Sequence, residues 1–233
     1  VQWMTAGKGV QHSEMFPLLH DDKPNTLEIF QIWLNLPKVS KMVAPHFKML
    51  WNEDIPIMEA TDAEGRKTTV NVIAGSIGSN KALNPTPDSW AANPANAVGV
   101  FTVKMDAHAE WVLPATEKGA NRSVYYYRGN LLHIEDGVLN TSQLAELQAD
   151  ADITIKNGDE EGYFLILEGK PINEPVAQHG PFVMNTPQEI EQAFADYQRT
   201  QFGGWPWAER EKVHGKEKGR FALHGDGKEE VKG

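Results

Sequence analysis

Leu27-Glu28-Ile29-Phe30-Gln31-Ile32-Trp33-Leu34-Asn35-Leu36 is apolar at nearly every position, where a strand with one wet face would alternate. The run predicts a strand buried on both faces, as in one layer of a two-sheet barrel. Working outward, short apolar runs bounded by turn residues recur at Val1–Thr5, Thr69–Ala74, Val98–Met105, Ser123–Tyr127, Leu131–Ile134, Ile153–Ile155 and Tyr163–Leu167. They predict an all-β chain. One helix interrupts the pattern. Thr186 is its N-cap, Pro187 its first residue and Glu189 the reciprocal capping partner. Ile190, Ala193, Phe194 and Tyr197 then form one apolar stripe, expected to bury Phe194 and Tyr197 against a barrel before Gly203-Gly204 ends the helix.

Three segments break the periodicity. Residues 38–54, with Pro45 in their middle, read as an inter-domain connection, and residues 80–96, rich in Pro and Asn, as a long surface loop. Residues 209–233 carry balanced charges and little core material beyond Val213, Phe221-Ala222-Leu223 and Val231, so they read as a draped tail.

Composition narrows the function. The 233 residues, 40% apolar with 20 Gly and 14 Pro, suit a turn-rich globular chain better than a helical bundle. Lys and Arg number 22 against 32 Asp and Glu, a formal net charge of −10. That sign opposes a phosphate-binding surface, so no direct nucleic-acid contact is expected. With no cysteine, disulfides, thiolate ligands and thiol nucleophiles are excluded together, and a metal would have to be held by His, Asp or Glu. No apolar run approaches the ~18 residues of a membrane span, and no membrane partner is expected.

His12-Ser13-Glu14 offers an imidazole and a carboxylate two residues apart, a spacing that in a strand sets both on one face. These donors suit Fe, Mn, Ni, Cu or Zn without selecting one. The same spacing recurs at His20/Asp22, His108/Glu110, His133/Glu135 and His224/Asp226, so context must choose. Only His12 follows a glycine turn, Thr5-Ala6-Gly7-Lys8-Gly9, which would reverse the first strand and aim His12 and Glu14 into a barrel. No nucleophile elbow, phosphate loop or H-E-x-x-H motif occurs.

Three blocks, VQWMTAGKGVQHSEMF at 1–16, LEIFQIWLNLPK at 27–38 and EPVAQHGPFVMNTPQEIEQAFADYQRTQFGG at 174–204, resemble the pirin family in the family's own order. The resemblance implies a bicupin, two jelly-roll-like β-barrels in tandem with a C-terminal helix. It places the end of the metal-binding first barrel, with its linker, at 1–48, a metal-free second barrel at 55–186, and the helix and tail at 187–233. It further implies one Fe(II) or Fe(III) per chain, or another divalent transition metal, held by a His-x-His pair and a later His-x-Glu pair. His12 and Glu14 match the second pair. The first would lie upstream of Val1, leaving the first barrel incomplete in this chain. His179 stands where the family commonly has an aromatic residue.

The family resemblance implies two functions. One is a quercetin 2,3-dioxygenase-type oxidoreductase acting on a flavonoid-type small molecule, with Glu14 as base. The alternative is a non-catalytic, iron-binding regulator acting through protein partners. The expected setting is cytoplasmic, or nuclear if eukaryotic.

Overall fold

A computed structural model describes residues 1–16, 18–210 and 214–232, so Val213 lies outside the described residues. The chain divides into two units, Val1 with Leu50–Ile172, and Gln2–Met49 with Asn173–Gly233.

In the second unit, β1 (Gln2–Thr5) pairs antiparallel with β2 (His46–Met49), Trp3 opposite Lys48. The expected connection at 38–54 therefore contains a strand. Pro45 immediately precedes β2, where its missing N–H costs the ladder nothing.

The first unit carries β3 (Ile57–Thr61), β4 (Lys67–Ala74), β5 (Ser76–Ile77), β6 (Asn80–Lys81), β7 (Gly99–Met105), β8 (Glu110–Leu113), β9 (Asn121–Arg128), β10 (Leu131–Ile134), β11 (Gly137–Asn140), β12 (Gln143–Leu147), β13 (Ile153–Asn157) and β14 (Gly162–Gly169). They form a six-stranded antiparallel sheet ordered β12-β9-β14-β7-β4-β3 and a four-stranded one ordered β11-β10-β13-β8, with the short β5–β6 ribbon beside them. Strand periodicity turns alternate side chains inward. Val70 and Val72 of β4, Phe101 and Val103 of β7, Val124 and Tyr126 of β9, and Phe164 and Ile166 of β14 meet Trp111, Leu113, Leu132, Ile134, Ile153 and Ile155 from the smaller sheet. This two-layer apolar core is a cupin-type barrel, and it is filled by side chains.

One charged pair enters it. Arg122 Nε donates to Glu168 Oε2 at 2.9 Å, with the two side chains 2% and 6% exposed. Burial pushes the Glu168 carboxyl above its ordinary value despite the guanidinium beside it. Arg122 Nη2 also donates to the Pro114 carbonyl. Gly99 leaves room for the crossing carboxylate, since a Cβ there would lie 2.6 Å from Glu168 Cγ.

The second unit continues with β15 (Ala177–His179) and β16 (Phe182–Met184), then α1 (Pro187–Thr200). The capping box forms as expected: Glu189 N–H donates to Thr186 Oγ1 at 3.2 Å, and Thr186 N–H to Glu189 Oε2 at 2.9 Å. Three expectations are corrected here. The helix ends earlier, with Gln201 left-handed at φ +50° ahead of the two glycines. Phe194 and Tyr197 are half-buried, and they pack on the β15–β16 hairpin and Phe202. The tail is ordered as the β17 (Arg220–Leu223) and β18 (Glu229–Lys232) hairpin, turned at Asp226-Gly227, with His224 against Phe47 at 5.0 Å. Residues 80–96, expected as a surface loop, begin in β6 and hold two 3-10 turns, Trp90–Ala92 and Pro94–Asn96; Ala82, Thr86 and Ser89 are buried and Trp90 Nε1 donates to the Lys170 carbonyl.

The largest correction is at Leu27–Leu36. The segment joins no sheet, and Leu27, Ile29 and Trp33 are each more than half exposed. A continuous apolar run reports affinity for a dry environment; a strand also needs a ladder partner, and the described residues supply none.

Candidate metal centre

The turn that leads to His12 is built as its glycines require. Lys8 N–H donates to the Val43 carbonyl at 3.0 Å and Gly9 N–H to the Ala6 carbonyl at 2.9 Å. Gly7 and Gly9 both have positive φ, +51° and +110°. A Cβ on Gly7 would lie 2.3 Å from the Val43 carbonyl oxygen, and one on Gly9 2.5 Å from the Phe202 ring, so neither position admits a side chain without movement.

Beyond the turn, residues 10–16 form no regular strand, contrary to the expected reversal, because β1 takes β2 as its partner. His12 and Glu14 nevertheless converge. His12 Nδ1 lies 3.9 Å from Glu14 Oε1, with the side chains 38% and 35% exposed. Cis donors at ~2.1 Å from one ion stand only about 3.0 Å apart, so this imidazole nitrogen and carboxylate oxygen, chemically suited to a transition metal, would have to draw closer to share one. Among the described residues no group of three or more His, Asp or Glu side chains gathers in ligand geometry. The pair is a two-donor fragment, open to solvent.

Context separates it from three look-alikes, whose acids are otherwise engaged. Glu110 pairs with Lys156 at 3.0 Å, Glu135 accepts from the Thr154 N–H, and Asp226 accepts from the Lys228 N–H inside its turn. His224 meets Glu230 at 3.1 Å in place of Asp226. His20 and Asp22 are exposed in a turn.

Sequence reasoning missed a polar knot at the start of α1. Lys41, almost wholly buried, donates through Nζ to Asn35 Oδ1 at 2.6 Å. Burial lowers its pKa against the opposing pull of Glu174 and Glu189. Asn185 Nδ2 donates to Glu174 Oε2 and to the Pro175 carbonyl, both at 3.0 Å. The capping-box motif was the one local signal for this cluster; its other feature, the meeting of residues 35–41 with residues 174–189, joins segments more than 130 positions apart.

A family model described as the pirin C-terminal cupin domain matches residues 100–203, and a second, described as pirin, matches residues 1–34, which include His12 and Glu14. A Pseudomonas aeruginosa protein provisionally named a quercetin 2,3-dioxygenase is 33% identical over 204 residues, covering 87% of this chain and 66% of the relative. Pirin of Homo sapiens is 32% identical over 209 residues, with 87% and 65% covered. Among solved structures, quercetin 2,3-dioxygenase from Acinetobacter baumannii superposes with a TM-score of 0.61 at 31% identity, covering 73% of this chain and 55% of that one. The chain spans 62% to 67% of the length of these curated relatives and others like them.

Proposed function

The chain belongs to the pirin family, and from that premise we propose that it serves a metal-dependent dioxygenase of the quercetin 2,3-dioxygenase type, with His12 and Glu14 as two of the metal's ligands. The observation that carries the reading is the 3.9 Å approach of one imidazole nitrogen and one carboxylate oxygen just after the glycine turn. A transition metal bound there supplies a Lewis-acid and redox-active centre for an oxygen-dependent reaction. Of the chain's own groups, His12 would offer the ion an imidazole nitrogen. The Glu14 carboxylate has a second oxygen, which can accept the proton of a flavonol hydroxyl as a general base. Gly7 and Gly9 position both residues by holding the turn that precedes them.

The test is flavonol consumption under air by the natural full-length protein, with metal content measured on the same samples. Glu14→Gln keeps an amide oxygen for the ion and loses the base, so turnover should fall by about 10²-fold or more while metal falls less. Metal-loaded wild type that consumes none of several flavonols contradicts the enzyme reading.

A further inference from the structure

We propose that the groove between β15 and α1 docks an extended, basic segment of a partner protein, which adds as a strand to the free edge of β15. The proposal does not rest on the dioxygenase reading.

The hairpin register identifies the free edge. His179 faces Phe182 across the two-residue turn Gly180-Pro181, and Ala177 faces Met184. A pair that closes a two-residue turn exchanges both of its hydrogen bonds, and the ladder alternates from there. Ala177 and His179 therefore turn their backbone groups toward β16, while Val176 and Gln178 turn theirs outward. Among the described residues no backbone hydrogen bond satisfies that outer edge. An unpaired edge is a template for a further strand.

The edge opens on a groove of about 620 Å³, whose opposite wall is the first turns of α1. Its floor is apolar, with Ala177, Ile190 and Phe194, and the Phe194 ring is held edge-on by His179 at 5.6 Å and Phe182 at 4.7 Å. Its polar lining comprises Gln178, His179, Asn185 and Glu191, of which only Glu191 carries a formal negative charge. Glu191 is exposed and has no ion pair among the described residues. Asn185 is 7% exposed, with its Oδ1 buried and its Nδ2 committed to Glu174 and the Pro175 carbonyl, so it shapes the wall without offering the occupant a contact.

The exposed Glu191 carboxylate favours a cationic occupant. With a formal charge of −10 on each chain, a second copy is repelled and a basic segment is attracted. Strand side chains alternate, so the segment would set apolar residues over Ile190 and Phe194 and offer lysine or arginine to Glu191.

The probe is a fluorescein-labelled hexapeptide alternating lysine and valine, titrated against the protein by fluorescence anisotropy. Saturable binding below about 1 mM is expected, together with slowed amide exchange at Val176 and Gln178. The same peptide, N-methylated on alternate amides so that it keeps its charge and cannot pair with the edge, should bind at least roughly tenfold more weakly. Glu191→Lys should weaken the lysine–valine peptide by a similar factor and favour a glutamate–valine one. Absence of saturable binding, or indifference to either change, overturns the proposal. The N-methylated peptide keeps the test decisive if the Glu191 variant does not fold.

Discussion

Asp62 shows how much one carboxylate can organise. It accepts the backbone N–H groups of Glu64, Arg66 and Glu110 and the Arg66 Nε, and so closes the β3–β4 hairpin onto the start of β8. Burial alone would raise its pKa, but the donated N–H groups and the Arg66 charge outweigh it and hold the carboxyl at about 2. A depressed carboxylate stabilises the fold above its unfolded pKa, ~3.9, and that stabilisation is lost as pH falls through the folded value. The first unit should therefore lose stability between about pH 4 and pH 2, and Asp62→Asn should flatten that part of the curve in urea melts taken across pH. At this scale the sequence was readable where a residue's reason is local. Gly7 and Gly9 announce a turn whatever lies around it. The convergence of His12 and Glu14 follows from their spacing, but their exposure does not, since it depends on what surrounds the segment.

At the scale of elements, the helix and the buried pair carry different energies. Phe194 meets Phe182 and His179 on a two-stranded hairpin and stays half-exposed. Phe194→Ala should then cost about 1–2 kcal/mol, below the ~3–5 of a fully buried phenylalanine. Thermal or urea unfolding measures it, and a loss as large as the fully buried case would mean deeper docking than the hairpin provides. In the barrel, Glu168→Gln leaves the Arg122 guanidinium buried without its counter-charge, which should cost about 3–5 kcal/mol. Pairing Glu168→Leu with Arg122→Met should recover most of that loss, because the cost lies in the orphaned charge more than in the missing bond. The capping box of α1 and the alternating strands β4, β7, β9 and β14 could be read directly, since their signals fall within a few residues. The partner of β1 could not, because Trp3 finds Lys48 across a long intervening segment. The tail hairpin carried a local signal, Phe221-Ala222-Leu223 ahead of Asp226-Gly227, that its balanced charge obscured.

The filled two-sheet barrel of the first unit was legible because its strands pair with one another inside the chain. In the second unit, Leu27–Leu36 has the composition of a buried strand and the exposure of a loop. The same contrast holds for the candidate metal centre, where two donors converge without a third. One imidazole and one carboxylate leave most of a six-coordinate sphere to water, so residues 1–233 by themselves should lose iron on dialysis. The most direct test of His12 and Glu14 as metal ligands is the iron content, after dialysis, of the natural full-length protein and of its His12→Ala and Glu14→Ala variants, with circular dichroism confirming the fold. Near one iron per chain in the wild type, falling about tenfold or more in each variant, is the predicted result; near-stoichiometric iron retained in both variants would contradict it.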